Sequence, residues 1–161
     1  MSFTVAIDPG LTGAIAIYDA LDLVDVIDMP ITRHLGWKHN LPDAGELYCI
    51  IEASGGYFAS IGDVTVVLET IAPRPGNGMM QVAASAASWG VLLGACNEYP
   101  VRLVTPQAWT KALGVGSDKT VHRNAAKSLW PGCTWFDRVK DDGRADAALI
   151  GWYWLTKRAG K

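Results

Sequence analysis

Two short apolar runs in this chain, FTVAID at 3–8 and VTVVLE at 64–69, each end on a carboxylate. Runs of this length, rich in β-branched residues, suit strands covered on both faces. A charge that closes such a run is usually paired or functional, because burying it alone is costly. Asp8 also precedes Pro-Gly, where an aspartate often serves only as a turn former. Glu69, at the end of VTVVL, has no such everyday role. If the two strands lie side by side, Asp8 and Glu69 meet at one end of a sheet. The 161 residues suffice for one domain, 1–161, with a sizeable core.

The remaining pattern extends the sheet and adds helices. After the PGLTG turn, AIAIY at 14–18 reads as a second strand, and LVDVIDM at 23–29, with its alternation, as a third. Short turns between the three predict an antiparallel meander. LPDAGELYCIIEASGG has apolar residues at helical spacing and closes on Gly55 and Gly56. The stretch 70–78, TIAPRPGNG, is too rich in proline and glycine for regular structure. A long helix is expected over 79–96, with small residues that permit close packing, and then a fifth strand at 101–105. PQAWTKAL opens a short helix at a tolerated proline. A Gly-rich turn, GVGSDK, feeds a basic helix, and DDGRADAALIGWYWLTKR forms the last helix, acidic at its start and basic at its end. The expected fold class is α/β: a mixed five-stranded sheet, three antiparallel strands followed by helix-connected strands, flanked by helices. Periodicity by itself reaches only the α/β class; this order of elements is also the plan of the RNase H-like fold.

Charge is divided unevenly along the chain. Residues 1–100 hold 3 Lys/Arg and 11 Asp/Glu, and residues 101–161 hold 11 and 5, so a half at −8 and a half at +6 sum to −2. A basic half can face phosphate even in a slightly acidic protein. Cys49, Cys96 and Cys133 lie apart with no metal-ligand spacing, as small fillers in a reducing compartment do. The start lacks the pattern of a signal peptide, and no run of about 18 apolar residues could span a membrane. A cytoplasmic protein, with no membrane partner, is the expectation.

Asp142 and Asp146 are four apart and share one face of the last helix. Asp142 competes with Asp141 for a plain N-cap role. Laid over Asp8 and Glu69, the helix would complete a set of four carboxylates. Such a cluster is unfavourable without a cation, and its hard oxygens suit Mg²⁺ or Mn²⁺. Two such ions can activate water and stabilise the leaving oxygen of a phosphodiester.

AIDPGLTGAIAIYD resembles the first strand pair of the RuvC-type Holliday junction resolvases, and VVLET the strand carrying their second acid. The stretch from SAASWG to KSLWP follows the order of their helix, strand and basic turn. KDDGRADAALIGWYW resembles their closing acidic helix, in its phage-like form. The resemblance covers nearly the whole chain. It implies a Mg²⁺-dependent homodimer making paired nicks in branched DNA, a four-way junction above all, in a bacterial or phage-infected cell. It carries the metal and catalytic roles to Asp8, Glu69 and Asp146. Bacterial members place the fourth acid three residues before the last, which lands on Gly143; Asp142 is offered instead, with Asp141 beside it. Lys119 matches a lysine of the family's basic turn and joins the catalytic set by neutralising phosphate. A second family lysine is replaced near Trp109, where Lys111 is a candidate substitute. The aromatic that some members carry just after the second acid is missing from Thr70, Ile71 and Ala72.

For DNA, Lys111, Lys119, Arg123 and Lys127 gather around one turn and one helix, a stripe fit to follow a phosphate backbone. Arg74 lies in the loop after Glu69, within reach of a junction centre, and Met79 or Met80 offers an apolar wedge unless core packing claims both. Three other readings stand beside this one. An actin-like sugar kinase needs a second large domain for which there is no room. A catalytically weak DNA-binding module of this fold predicts lost acids. A broader branched or flap DNA nuclease of the same fold shares every motif above.

Overall fold

The computed structural model describes residues 2–33, 39–55, 61–71, 76 and 78–158. Strands β1 (Phe3–Ile7), β2 (Ala14–Asp19) and β3 (Asp22–Asp28) run antiparallel, as their short turns require. A two-residue pair, β4 (Ile31–Thr32) with β5 (Leu41–Pro42), leads into α1 (Ala44–Ser54). Such a ribbon is too short for hydrophobic alternation to announce it. Strand β6 (Val64–Glu69) then pairs parallel to β1, and β7 (Val101–Val104) parallel to β6, with α2 (Met79–Ala95) between them. The sheet order is β3-β2-β1-β6-β7. Helices α3 (Pro106–Leu113), α4 (Lys119–Leu129) and α5 (Asp142–Tyr153) follow.

Side-chain alternation splits the core into two layers. Val5, Ile7, Ile15, Ile17, Val66 and Leu68 face α1 and α2 through Leu47, Ile51 and Leu92. Ala6, Ala16, Tyr18 and Val67 face the opposite way, onto Ala145, Ala148 and Leu149 of α5 and Trp109 of α3. The second face is made of small residues where α5 crosses it. A Cβ at Gly151 would come within 3.0 Å of the Ala6 Cβ and run into the Tyr18 ring. The Tyr18 hydroxyl donates to the Ala148 carbonyl at 2.6 Å, fixing α5 along the strand. Close backbone approach thus sets the height of α5 above β1 and β2.

Sequence-based boundaries and observed ones differ by a residue or so, except at the last helix. Beyond Tyr153 the chain continues as a π-helical turn, Trp154–Arg158, not as α-helix. No helix among the described residues is long and apolar enough to cross a membrane.

Candidate active site

The parallel pairing of β1 with β6 puts Ile7 opposite Leu68. One residue further along each strand, Asp8 and Glu69 emerge side by side. The Asp8 turn is tight: its Oδ1 accepts from the Gly10 N–H at 3.2 Å, and its own N–H donates to the Ala14 carbonyl at 3.0 Å. Asp146, on the second turn of α5, completes a group of three carboxylates lining a cavity of about 380 Å³. Lys119, His122 and Trp109 line it too, with Gly116 and Ser117 from the loop before α4.

Asp8 and Glu69 are ionised only against resistance. Burial, and then the Asp146 charge, push the Asp8 carboxyl up to about 6. Burial and the Asp8 charge push Glu69 up to about 7, although the Trp109 indole N–H donates to its Oε1 at 2.7 Å. Asp146 is buried, its side chain only 6% exposed, and both oxygens are engaged. Oδ2 meets the Lys119 ammonium, and Oδ1 meets His122 Nδ1 at 2.7 Å. Burial lowers the Lys119 pKa, but the charge and hydrogen bond of Asp146, with the charges of Asp8 and Glu69, raise it on balance. Trp89 of α2 adds a hydrogen bond from its indole N–H to the Glu69 carbonyl at 3.1 Å.

The other expected site residues are placed elsewhere. Asp142 is not on the cavity wall; its carboxylate is paired with Arg123, whose side chain is 13% exposed. Asp141 turns the other way, accepting from the Arg138 backbone N–H at 2.8 Å and its Nε at 3.0 Å. Position 143 cannot carry a side chain. A Cβ there would overlap the Thr12 carbonyl oxygen and stand 2.7 Å from the Gly13 Cα. Helix α5 rests its first turn directly on the β1–β2 turn, so backbone contact fills the space that a side chain at 143 would need. In the expected DNA stripe, Lys119, Arg123 and Lys127 each face an aspartate of the chain, the last pairing with Asp137 at 3.2 Å. Lys111 is exposed at the end of α3. Arg74 lies outside the described residues. Met79 and Met80 are surface residues, 87% and 67% exposed, not core.

His122 and Trp109 were not among the expected site residues. A lone histidine in a basic helix is most often a surface residue, and a tryptophan in an amphipathic helix a core one. The one available signal was spacing: His122 and Ala126, four apart, form the buried face of α4.

The donor set fits a hard divalent cation. Three hard carboxylates share one cavity, and two have raised pKa values of the kind that a shared cation relieves. Among the described residues no group of three or more His, Cys, Asp or Glu is already arranged to hold a metal ion. Asp146 would have to exchange its Lys119 contact for a place in the coordination shell.

The strand order, with helices on both faces, is that of the RNase H-like class. Within that class the fold is RuvC-like. It matches the structure of T. thermophilus RuvC in complex with a Holliday junction substrate at 19% identity and a TM-score of 0.59, covering 99% of this chain and 97% of that one. It also matches a Thermus thermophilus RuvC structure at 16% identity and a TM-score of 0.55, covering 98% of this chain and 96% of that one. No protein-family model and no curated protein matches the chain.

Proposed function

We propose that this protein is a divalent-metal-dependent endonuclease that cuts branched DNA, four-way junctions foremost, by paired phosphodiester nicks. The observation that carries the reading is the convergence of Asp8, Glu69 and Asp146, with Lys119, in one cavity of a RuvC-like fold. Asp8, Glu69 and Asp146 would hold Mg²⁺ or Mn²⁺, two ions per site; Asp142 joins them only by releasing Arg123. When bound, the ions supply Lewis-acid activation of water and neutralise charge on the phosphodiester. The Lys119 ammonium, beside Asp8, Glu69 and Asp146, is placed to offset phosphate charge as the strand enters. Lys111 and Lys127, at the solvent edge of α3 and α4, extend that positive rim, with Arg123 and Arg74 as its further members.

Two strands need two sites, and a twofold dimer supplies both. Helix α2 is the candidate contact, since it buries only Ser88 and Leu92 and leaves Met79, Met80, Ala83, Ala86, Gly90 and Gly94 exposed. Side chains could be added at Gly90 and Gly94 without meeting any other of the described residues, so the face has room for a second copy.

Cleavage should require Mg²⁺ or Mn²⁺ and stop in excess EDTA. Asp8→Asn should lower it at least 10³-fold while junction affinity holds, because removing a negative charge does not weaken phosphate contacts. Four-way, three-way and flap substrates should be cut in that order of rate. Equal rates would select the broader branched-DNA nuclease; full activity in EDTA would end the metal reading.

A further inference from the structure

Trp109 and His122 belong to different helices, yet their rings meet edge to face with centroids 5.0 Å apart and planes at 62°. Each also holds one carboxylate of the cavity by a single oxygen. Trp109 Nε1–H donates to Glu69 Oε1 at 2.7 Å, and His122 Nδ1 meets Asp146 Oδ1 at 2.7 Å. The far side of His122 is anchored as well, Nε2 facing the Gly116 carbonyl at 3.1 Å. An ionised carboxylate and a carbonyl are both acceptors, so both ring nitrogens donate. Both side chains are nearly sealed, Trp109 at 2% and His122 at 3% exposure, and neither has room to change rotamer freely.

We propose that Trp109 and His122 act together as a rigid brace that sets the separation and orientation of Glu69 and Asp146, so that both present oxygens to the same cation. This inference rests on the metal-dependent reading above. The chain Glu69–Trp109–His122–Asp146 is continuous through two hydrogen bonds and one ring contact. It ties carboxylates from β6 and α5 through two helices that belong to neither element. A hydrogen-bonded aromatic is better suited to this than a lysine, because its rigid ring fixes a direction as well as supplying a donor. Trp109 and His122 are positioning residues; they reach the reaction through the carboxylates they hold.

The test measures Mn²⁺ affinity of the whole protein by electron paramagnetic resonance, in the absence of DNA. His122→Asn retains a donor near the Nδ1 position but loses the ring contact; His122→Gln and Trp109→Phe each lose the donor to their carboxylate. Trp109→Phe and His122→Gln should each weaken Mn²⁺ binding about 10- to 100-fold, with cleavage restored at raised Mn²⁺ and junction Kd unchanged. His122→Asn should fall between wild type and His122→Gln. The double variant Trp109→Phe/His122→Gln should lose less than the product of the two single effects, since either break opens the same chain. Wild-type Mn²⁺ affinity in all the variants overturns the brace and leaves the metal reading intact. No Mn²⁺ binding by wild type overturns both. Should a variant not fold, NMR of the wild-type protein decides: the Trp109 indole and His122 Nδ1 protons should resist solvent exchange before and after Mg²⁺ is added, and rapid exchange of either refutes the proposal.

Discussion

The first turn of α5 separates two groups of acids that face opposite problems. On one side, Asp8, Glu69 and Asp146 crowd a cavity with Lys119 and His122, and burial with mutual repulsion drives Asp8 up to about 6 and Glu69 up to about 7. On the other, Arg144 grips the exposed Asp28 through two hydrogen bonds, at 2.6 and 2.8 Å, and lowers its pKa. Burial alone would raise Asp141, but the hydrogen bonds and charge of Arg138 outweigh it and lower the pKa. The arginine-matched group has its charge neutralised at rest. The cavity group does not, and its imbalance is the feature a divalent cation would correct. Carboxylate number is similar on the two sides; the supply of cations differs.

That contrast can be broken from either side. Asp8→Asn/Glu69→Gln should stabilise the metal-free protein at pH 8 by up to about 6 kcal/mol, about 3 for each carboxyl, less whatever solvent at the cavity rim screens. Both amides keep the oxygens that Gly10 and Trp109 address. The pH window follows from the raised values. The wild-type carboxyls add no penalty below about pH 3, where folded and unfolded chains are both protonated. Stability is lost as pH rises through about 6 for Asp8 and about 7 for Glu69. The variant's advantage should therefore vanish by about pH 3 and be complete by pH 8. Thermal unfolding across that range measures it, and a constant advantage at every pH would mean the cavity carries no such strain.

The matched group should respond in the opposite sense. Asp141→Asn turns one of the two buried oxygens that accept from Arg138 into an amide nitrogen, which cannot accept, and should cost about 2 kcal/mol, lowering the unfolding midpoint by several degrees. Equal stability of this variant would erase the distinction between the two sides.

The smallest effects concern the cations themselves. Lys111→Ala and Lys127→Ala should each reduce the salt slope of junction binding by about one, as phosphate contacts do. Arg123→Ala should change the slope less, because its guanidinium is largely buried against Asp142 and the Val139 carbonyl, whereas Lys127 meets Asp137 at the exposed surface, where solvent screens the pair. Wild-type slopes for all three, measured by titration of affinity against salt, would show that DNA follows another face.

The α/β class, the five strands of the sheet and the acid that ends two of them were legible because hydrophobic pattern is local; that those two strands are neighbours is a long-range contact that the pattern left open. Two apolar runs that both end on an acid put those acids at one sheet end once the strands are parallel neighbours. Helical spacing put Asp146 on one face with Asp142; its place over the sheet depends on Ala6, Ala16 and Gly151, which admit α5 closely and whose role shows only in the packing. The fourth acid was different. Spacing allowed Asp142 on the same face as Asp146, but spacing says nothing about partners, and Arg123 from another helix faces Asp142. Similarly, Trp109 and His122 looked like an ordinary core residue and an ordinary polar one until two helices brought them together. Periodicity determines which face a side chain occupies. Which carboxylate meets a cation, an indole or another carboxylate depends on contacts between residues far apart in the chain, and only tertiary packing decides those.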